Sequence, residues 1–146
     1  MKPSLAPDLK SVRRFDVTTD QTIDFMGEDL RVLATTFMLA RVEQTCRDLV
    51  VSHLDDGEDS VGMRVEIDHL GPTLAGMWIE VSARVVSLDG QRIELAVDIC
   101  DALGQVGRAR HTRFVIDKGR QRERLAAPPA TAPAPRPPFP PHKTPG

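Results

Sequence analysis

"LATTFMLARVEQTC", Leu33 to Cys46, is the stretch on which the fold turns. Phe37, Met38, Leu39, Ala40, Val42 and Cys46, continued by Leu49, Val50 and Val51, cover most of the circumference of a helix drawn from about Thr36 to Ser52. A helix that is apolar nearly all round is a buried one. Yet Glu43 sits in its middle, and two hydroxyls, Thr35 and Thr36, stand where it begins.

What buries the helix follows it in the chain. In "SVGMRVEIDHL", Val61, Met63, Val65, Ile67 and His69 alternate onto one face. Met77, Ile79, Val81, Ala83 and Val85 do the same in the next segment, and Ile93, Leu95, Val97 and Ile99 in the third. Alternation with period two marks strands with one buried face. Asp89-Gly90 between the second and third is a hairpin signal. A fourth strand, "QVGRARHTRFVID", separates Phe114 and Ile116 from His111, Arg113 and Val115, and Gly107 suggests a bulge that shifts its register. "RRFDVT" (13–18) reads as a short first strand, and residues 22–33 as an irregular connection. A long helix followed by an antiparallel meander needs the sheet to wrap around it. The expected class is therefore α+β, with the sheet curled about one central helix.

The chain has 146 residues, of which 40% are apolar and 27% charged, enough for one domain with a core. The expected division is a flexible 1–11, a domain over 12–118, and a basic then proline-rich disordered tail over 119–146. Nine of the nineteen residues from Pro128 to Gly146 are proline, which lacks a backbone donor and breaks helix and ladder alike. Such a tail either docks an aromatic groove on a partner or only adds solubility.

The net charge of −2 conceals a split: residues 1–117 carry −7 and residues 118–146 carry +5. An acidic body with no tyrosine and one tryptophan argues against nucleic-acid binding. No apolar run approaches a membrane span, and the N-terminus lacks a signal-peptide pattern, so a cytoplasmic location is expected. Cys46 and Cys100 lie outside any CxxC or Cys/His cluster, so no metal and no cofactor are expected, and both read as small buried hydrophobes.

Three side chains carry chemistry. Glu43 precedes Arg47 by four, the order that suits an exposed ion pair on a helix. Thr35 or Thr36 reads as an N-cap, beside first-turn amides that favour developing negative charge. His69 falls at the end of its strand, before Gly71-Pro72, where a structural histidine and a general base look alike. His53, His111 and His142 are weaker candidates, and "DDGEDS" (55–60) reads as a solvated turn.

The chain resembles the fluoroacetyl-CoA thioesterase family of hotdog-fold thioesterases over residues 13–117. The resemblance rests on "ATTFMLARVEQTC", "GEDSVGMRVEIDHLGPTLAG", "VVSLDGQRIELAVDICD" and "VGRARHTRFVI". The family pattern is similar to A-T-G-F-M-x-x-x-x-E-x-x-C, then G-x-x-x-x-x-x-H, then H-x-R-x-V-I. It implies a hotdog fold, a homodimer with two sites at the subunit interface, and hydrolysis of a small acyl-CoA to acid and CoA. It places the catalytic residues on Thr35, Glu43 and His69, and substrate contacts on Gly62 and Arg113. Thr36 stands where the family has glycine and is taken as a further substrate contact. The family's aromatic lid is reduced here to Phe25, so the expected substrate is a small acyl-CoA of no special fluorine content. Glu43 would act as base toward water, or as a nucleophile forming an anhydride. His69 would protonate the leaving thiolate. The arginines 108, 110 and 113 and the "KGRQRER" run (118–124) are expected to meet the CoA phosphates. Two readings compete with hydrolysis. One is a hotdog module that binds acyl-CoA or an acyl carrier without turnover. The other is a hydratase or isomerase, against which Asp68 counts, since it points away from His69.

Overall fold

A computed structural model describes residues 1–127 and 134–138. Strand β1 (Lys10–Asp16) leads through two short 3-10 turns, Thr19–Gln21 and Glu28–Leu30, to helix α1 (Thr35–Val51). Strands β2 (Glu58–His69), β3 (Trp78–Asp89), β4 (Arg92–Asp101) and β5 (Gly104–Asp117) follow, then helix α2 (Lys118–Ala126). The sheet order is β1-β3-β4-β5-β2, with every neighbour antiparallel. The sheet curls about α1 as the residue pattern demands, and β2 is left as a 12-residue edge strand.

The core is the meeting of two periodicities. Met38, Val42, Thr45, Cys46, Leu49 and Val50 form the buried stripe of α1. Ile79, Val81, Ala83 and Val85 of β3, and Ile93, Leu95, Val97 and Ile99 of β4, face it. Alternate residues of a strand share a face, so two strands supply eight core positions. Thr45 is tolerated there because its hydroxyl donates to the Arg41 carbonyl at 2.8 Å. Gly90, at φ +57°, closes the β3–β4 hairpin where Asp89-Gly90 predicts it.

α1 is not buried all round. Ala40, Glu43, Gln44, Arg47 and Asp48 are exposed, and Phe37 is 38% exposed. The sheet covers one side only, and the other lies open beside β2.

Two bulges correct the predicted faces. In β2 the register slips between Gly62 and Arg64, leaving Met63 without a partner. Ser60 therefore points inward, while Val61 and Met63 are 41% and 51% exposed rather than facing the helix with Val65, Ile67 and His69. An extra residue in one strand reverses the parity on its far side. In β5 the slip lies at Val106, immediately before Gly107, as the glycine suggests. Val106, Gly107 and Ala109 are buried, and His111, Arg113 and Val115 continue the inward face.

The segment 1–11, expected to be flexible, is held to the body: β1 takes its last two residues and the rest is tied down. Leu5 is buried, the Lys2 amide donates to the His53 carbonyl at 2.9 Å, and Asp8 donates to Val85 at 2.8 Å. The "DDGEDS" turn likewise takes part, since Asp55 and Glu58 hold the N-terminal amine. The basic run is helical: α2 starts at Asp117, whose side chain accepts from the Arg120 amide at 2.9 Å. Most of the proline-rich tail, with His142 and any groove-docking role, lies outside the described residues.

Candidate active site

The segment before α1 and the loop after β2 are tied together, and that tie makes the first half of the site. The Leu33 amide donates to the Thr73 carbonyl at 2.8 Å, and Val32 bridges Leu74. The amides of Leu70 and Gly71 both donate to Val106, which holds the end of β2 against β5. The start of α1 thus lies beside the last residue of β2, and Thr35 Oγ1 comes within 2.8 Å of His69 Nδ1.

Thr35 is not a cap. Ala34 occupies the N-cap position in an extended conformation and makes no side-chain cap bond. Its carbonyl accepts from Phe37 and Met38, so the first two amides of the helix, those of Thr35 and Thr36, have no acceptor among the described residues. Thr35, with its free N–H and hydroxyl, and the His69 imidazole line one opening with Val32, Leu70, Gly71 and Pro72, and the free Thr36 N–H comes next along the helix. The opening can take a carbonyl oxygen at the amides and hydroxyl, with the ring placed to pass a proton.

Glu43 is elsewhere in the chain. It lies in a cleft with Ala40, Gln44, Arg47, Asp48 and Arg113, on the open side of α1. Gly62 sits where that cleft meets β2. A Cβ placed on it would stand 3.4 Å from Glu43 Oε1, 3.2 Å from His111 Cε1 and 3.8 Å from Arg113 Nη1. The absent side chain is what lets a carboxylate, a guanidinium and an imidazole approach together. Arg47, expected to pair with Glu43, is instead taken by Asp59 through two hydrogen bonds of 2.6 and 3.1 Å. Glu43 is in no ion pair or hydrogen bond among the described residues.

Arg113 is 4% exposed. Its Nε donates to Ser60 Oγ at 2.7 Å and Nη2 donates to the Ser60 carbonyl at 2.7 Å. Burial pushes its guanidinium below the ordinary arginine value, and nearby Glu43 opposes that shift. The Cys46 thiol, underneath, is pushed up to about 12 by burial, so it is an inert packing residue as its position in the sequence suggests. No group of three metal-ligating side chains occurs among the described residues.

Sequence reasoning passes over Ser60 and ranks His111 low. The one signal available is the His-x-Arg spacing, which puts both residues of β5 on the inward face. Arg108 and Arg110, expected to meet CoA phosphates together with Arg113, lie on the outer face, where they pair with Asp68 at 2.9 Å and Glu94 at 3.3 Å.

Comparison with known proteins places this architecture. A mutant of the fluoroacetyl-CoA-specific thioesterase superposes with a TM-score of 0.77 at 24% identity, covering 85% of this chain and 97% of the other. A thioesterase superfamily member from Thermus thermophilus superposes with a TM-score of 0.72 at 28% identity, over 86% and 99%. A hot-dog-like protein from Thermanaerovibrio acidaminovorans gives 0.75 at 22%, over 85% and 90%. The fold is the hotdog, and the protein is one of the hotdog proteins in which the sheet wraps a single long helix. The fluoroacetyl-CoA thioesterase of Streptantibioticus cattleyicolor is 29% identical over 112 residues, 77% of this chain and 78% of that one. The profile of the fluoroacetyl-CoA-specific thioesterase family matches residues 17–119, and the chain belongs to that family. Its activity is accordingly that of an acyl-CoA thioester hydrolase. No helix among the described residues is long and apolar enough to cross a membrane.

Proposed function

We propose that the protein hydrolyses small acyl-CoA thioesters as a homodimer, at two sites that each draw on both protomers. Thr35, Thr36 and His69 come from one chain, and Glu43, Gly62 and Arg113 from the other. The observation that carries this reading is the 2.8 Å contact between Thr35 Oγ1 and His69 Nδ1, beside two free helix amides.

What each protomer leaves unfinished supports the dimer. β2 is a long edge strand with exposed Val61 and Met63, flanked by the open side of α1 with Phe37. Exposed edges of this length are otherwise blunted or covered. Two copies of β2 paired antiparallel would continue the sheet and bury both features. The same pairing sets the Gly62 region of one strand opposite the His69 end of the other, so Glu43 reaches the thioester held at the partner's Thr35.

In the reaction the thioester carbonyl oxygen accepts from the Thr35 and Thr36 amides and the Thr35 hydroxyl. Glu43 takes a proton from water as its oxygen attacks the carbonyl carbon. The tetrahedral intermediate then expels sulfur, and His69 supplies the proton that makes the free CoA thiol. Arg113 keeps a fixed cation beside the carboxylate. In the anhydride variant Glu43 attacks the thioester carbonyl carbon itself and expels the CoA thiolate, which His69 protonates; water then adds at the Glu43 carboxyl carbon of the anhydride and releases the acid. Single turnover in oxygen-18 water separates the two, since only the second labels Glu43.

The acyl group is small, and Val32, Leu70 and Pro72 give its rim an apolar character. Phe25, the one aromatic of residues 22–33, is 78% exposed and gives no covered pocket that would select a fluoroacetyl group. α2, with Lys118, Arg120, Arg122 and Arg124 exposed, is the proposed contact for the CoA phosphates. A hydratase reading is disfavoured because Asp68 is engaged by Arg108. The test is thiol release from a panel of acyl-CoAs by wild type and Glu43→Gln. Release by wild type only is expected. Tight binding of acyl-CoA without release by wild type would leave a binding module in place of a hydrolase.

A further inference from the structure

His111 is 1% exposed, and its two ring nitrogens have different partners. Nδ1 lies 2.9 Å from the Arg64 carbonyl, which can only accept, so Nδ1 carries a proton. Nε2 lies 3.1 Å from Arg113 Nη1, which can only donate, so Nε2 carries none. The two contacts admit one form of the ring, neutral and protonated at Nδ1. With the two bonds to Ser60, three of the five N–H groups of Arg113 are now committed. One remains on each terminal nitrogen, and the three bonds fix the orientation of the guanidinium.

The groups around the ring are few. α1 presents Glu43 and, beneath it, the neutral Cys46; β5 presents Arg113; β2 presents the Arg64 carbonyl; and β4 presents Leu95, paired with His111 in register. A proton added at Nε2 would remove the acceptor for Nη1 and set a second cation 3.1 Å from the first.

We propose that Ser60 and His111 are positioning residues that lock the Arg113 guanidinium toward Glu43, and that the lock holds only while His111 is neutral. The proposal rests on the hydrolase reading and deepens it: the arginine is aimed by two side chains that never meet substrate. Burial also holds the ring below the ordinary histidine value, which keeps the lock closed at neutral pH.

The test uses the full chain and three variants. His111→Gln keeps an acceptor at the end of a polar side chain, His111→Leu removes it, and Ser60→Ala removes the hydroxyl but keeps the carbonyl. Acyl-CoA hydrolysis is followed against pH, with thermal unfolding on the same samples. Misaligning a group that acts in the transition state costs up to about 100-fold. The expectation is a loss of roughly 10–100-fold in kcat for His111→Leu and Ser60→Ala, little change in KM, and substantial recovery in His111→Gln. Nitrogen-15 spectra should show His111 as the neutral Nδ1-H form and resolve Arg113 terminal nitrogens that exchange slowly in wild type and fast in His111→Leu. This reading stands even if that variant folds poorly, because the wild-type ring and guanidinium report the lock directly. An active wild type whose His111 is charged or carries its proton on Nε2, or a folded His111→Leu with wild-type kcat, overturns the proposal and leaves the hydrolase intact. An inactive wild type overturns the hydrolase reading and, with it, any catalytic purpose for the lock.

Discussion

Thr35 touches His69, but Glu43 does not reach either of them within one chain. Thr35 and Glu43 are eight residues apart on α1, about 12 Å along its axis. Gly62, which marks the position of Glu43 on β2, is seven residues from His69, roughly 20 Å along the strand. A carboxylate at that distance cannot activate water for a thioester held at Thr35. If these residues share a reaction, two chains must supply them.

This gives a mixing test. Glu43→Ala and His69→Ala homodimers should each be nearly inactive. Exchanged into heterodimers, both lesions fall on one of the two sites and leave the other whole. Activity should then return to about half the wild-type value per heterodimer, measured as thiol release after subunit exchange. A site confined to one chain would leave a lesion in each, and mixing would restore nothing.

Single substitutions should separate the roles. A positioned acid–base group contributes typically about 10²–10⁴-fold. Glu43→Gln and His69→Ala should each lower kcat by that order while the dimer persists on gel filtration. Thr35→Ser keeps the hydroxyl 2.8 Å from Nδ1 and should retain most activity, whereas Thr35→Val should not. Equal activity in Ser and Val variants would remove the hydroxyl from the mechanism and leave only the amides.

Why was so much of the fold legible, and the site only in pieces? The α1 stripe of Met38, Val42, Cys46 and Leu49 and the alternation of β3 and β4 are local patterns, so periodicity finds them. Gly90 marks the β3–β4 turn because its φ of +57° favours glycine, and Gly107 marks the β5 bulge, where a Cβ would stand 2.8 Å from Met38 Sδ. Gly62 adjoins the slip at Met63 as Gly107 adjoins that at Val106, but the unbroken alternation of Val61, Met63, Val65, Ile67 and His69 hides it, and the slip turns Val61 and Met63 outward. Thr35, Glu43 and His69 stand out in the sequence as candidate chemical groups, but their joint catalytic assignment rests on the family resemblance rather than on spacing. Asp59 taking Arg47 away from Glu43, and Ser60 holding Arg113 from 53 residues away, are tertiary pairings that no local pattern encodes.

Gly62→Ala tests how tightly the second half of the site is built. The added Cβ would stand 3.2 Å from His111 Cε1, which must give by a few tenths of an ångström, and 3.4 Å from Glu43 Oε1, at the edge of ordinary contact. The position has ordinary backbone geometry, so no left-handed strain enters. Shifting His111, and with it the Arg113 guanidinium beside Glu43, should cost roughly 10–100-fold in kcat with a small change in unfolding temperature. The opposite pattern, full activity with a large loss of stability, would make Gly62 a packing residue alone.

Stability should fall on the acid side, and His111 gives the direction. Its folded-state value lies below the ordinary 6.5, with burial as the leading cause and Arg113 adding to it. The unfolded chain therefore binds the proton more readily than the folded one. Wherever that holds, stability rises with pH, and it falls as pH drops. The contribution is complete above about 6.5 and is lost progressively as pH falls through the lower folded value. Denaturant midpoints taken between pH 7.5 and pH 5 should thus decline in wild type. The slope should flatten in His111→Gln, which keeps a polar acceptor but does not titrate. His69→Gln supplies the control: an equal flattening there would mean that the slope does not come from the buried ring of His111.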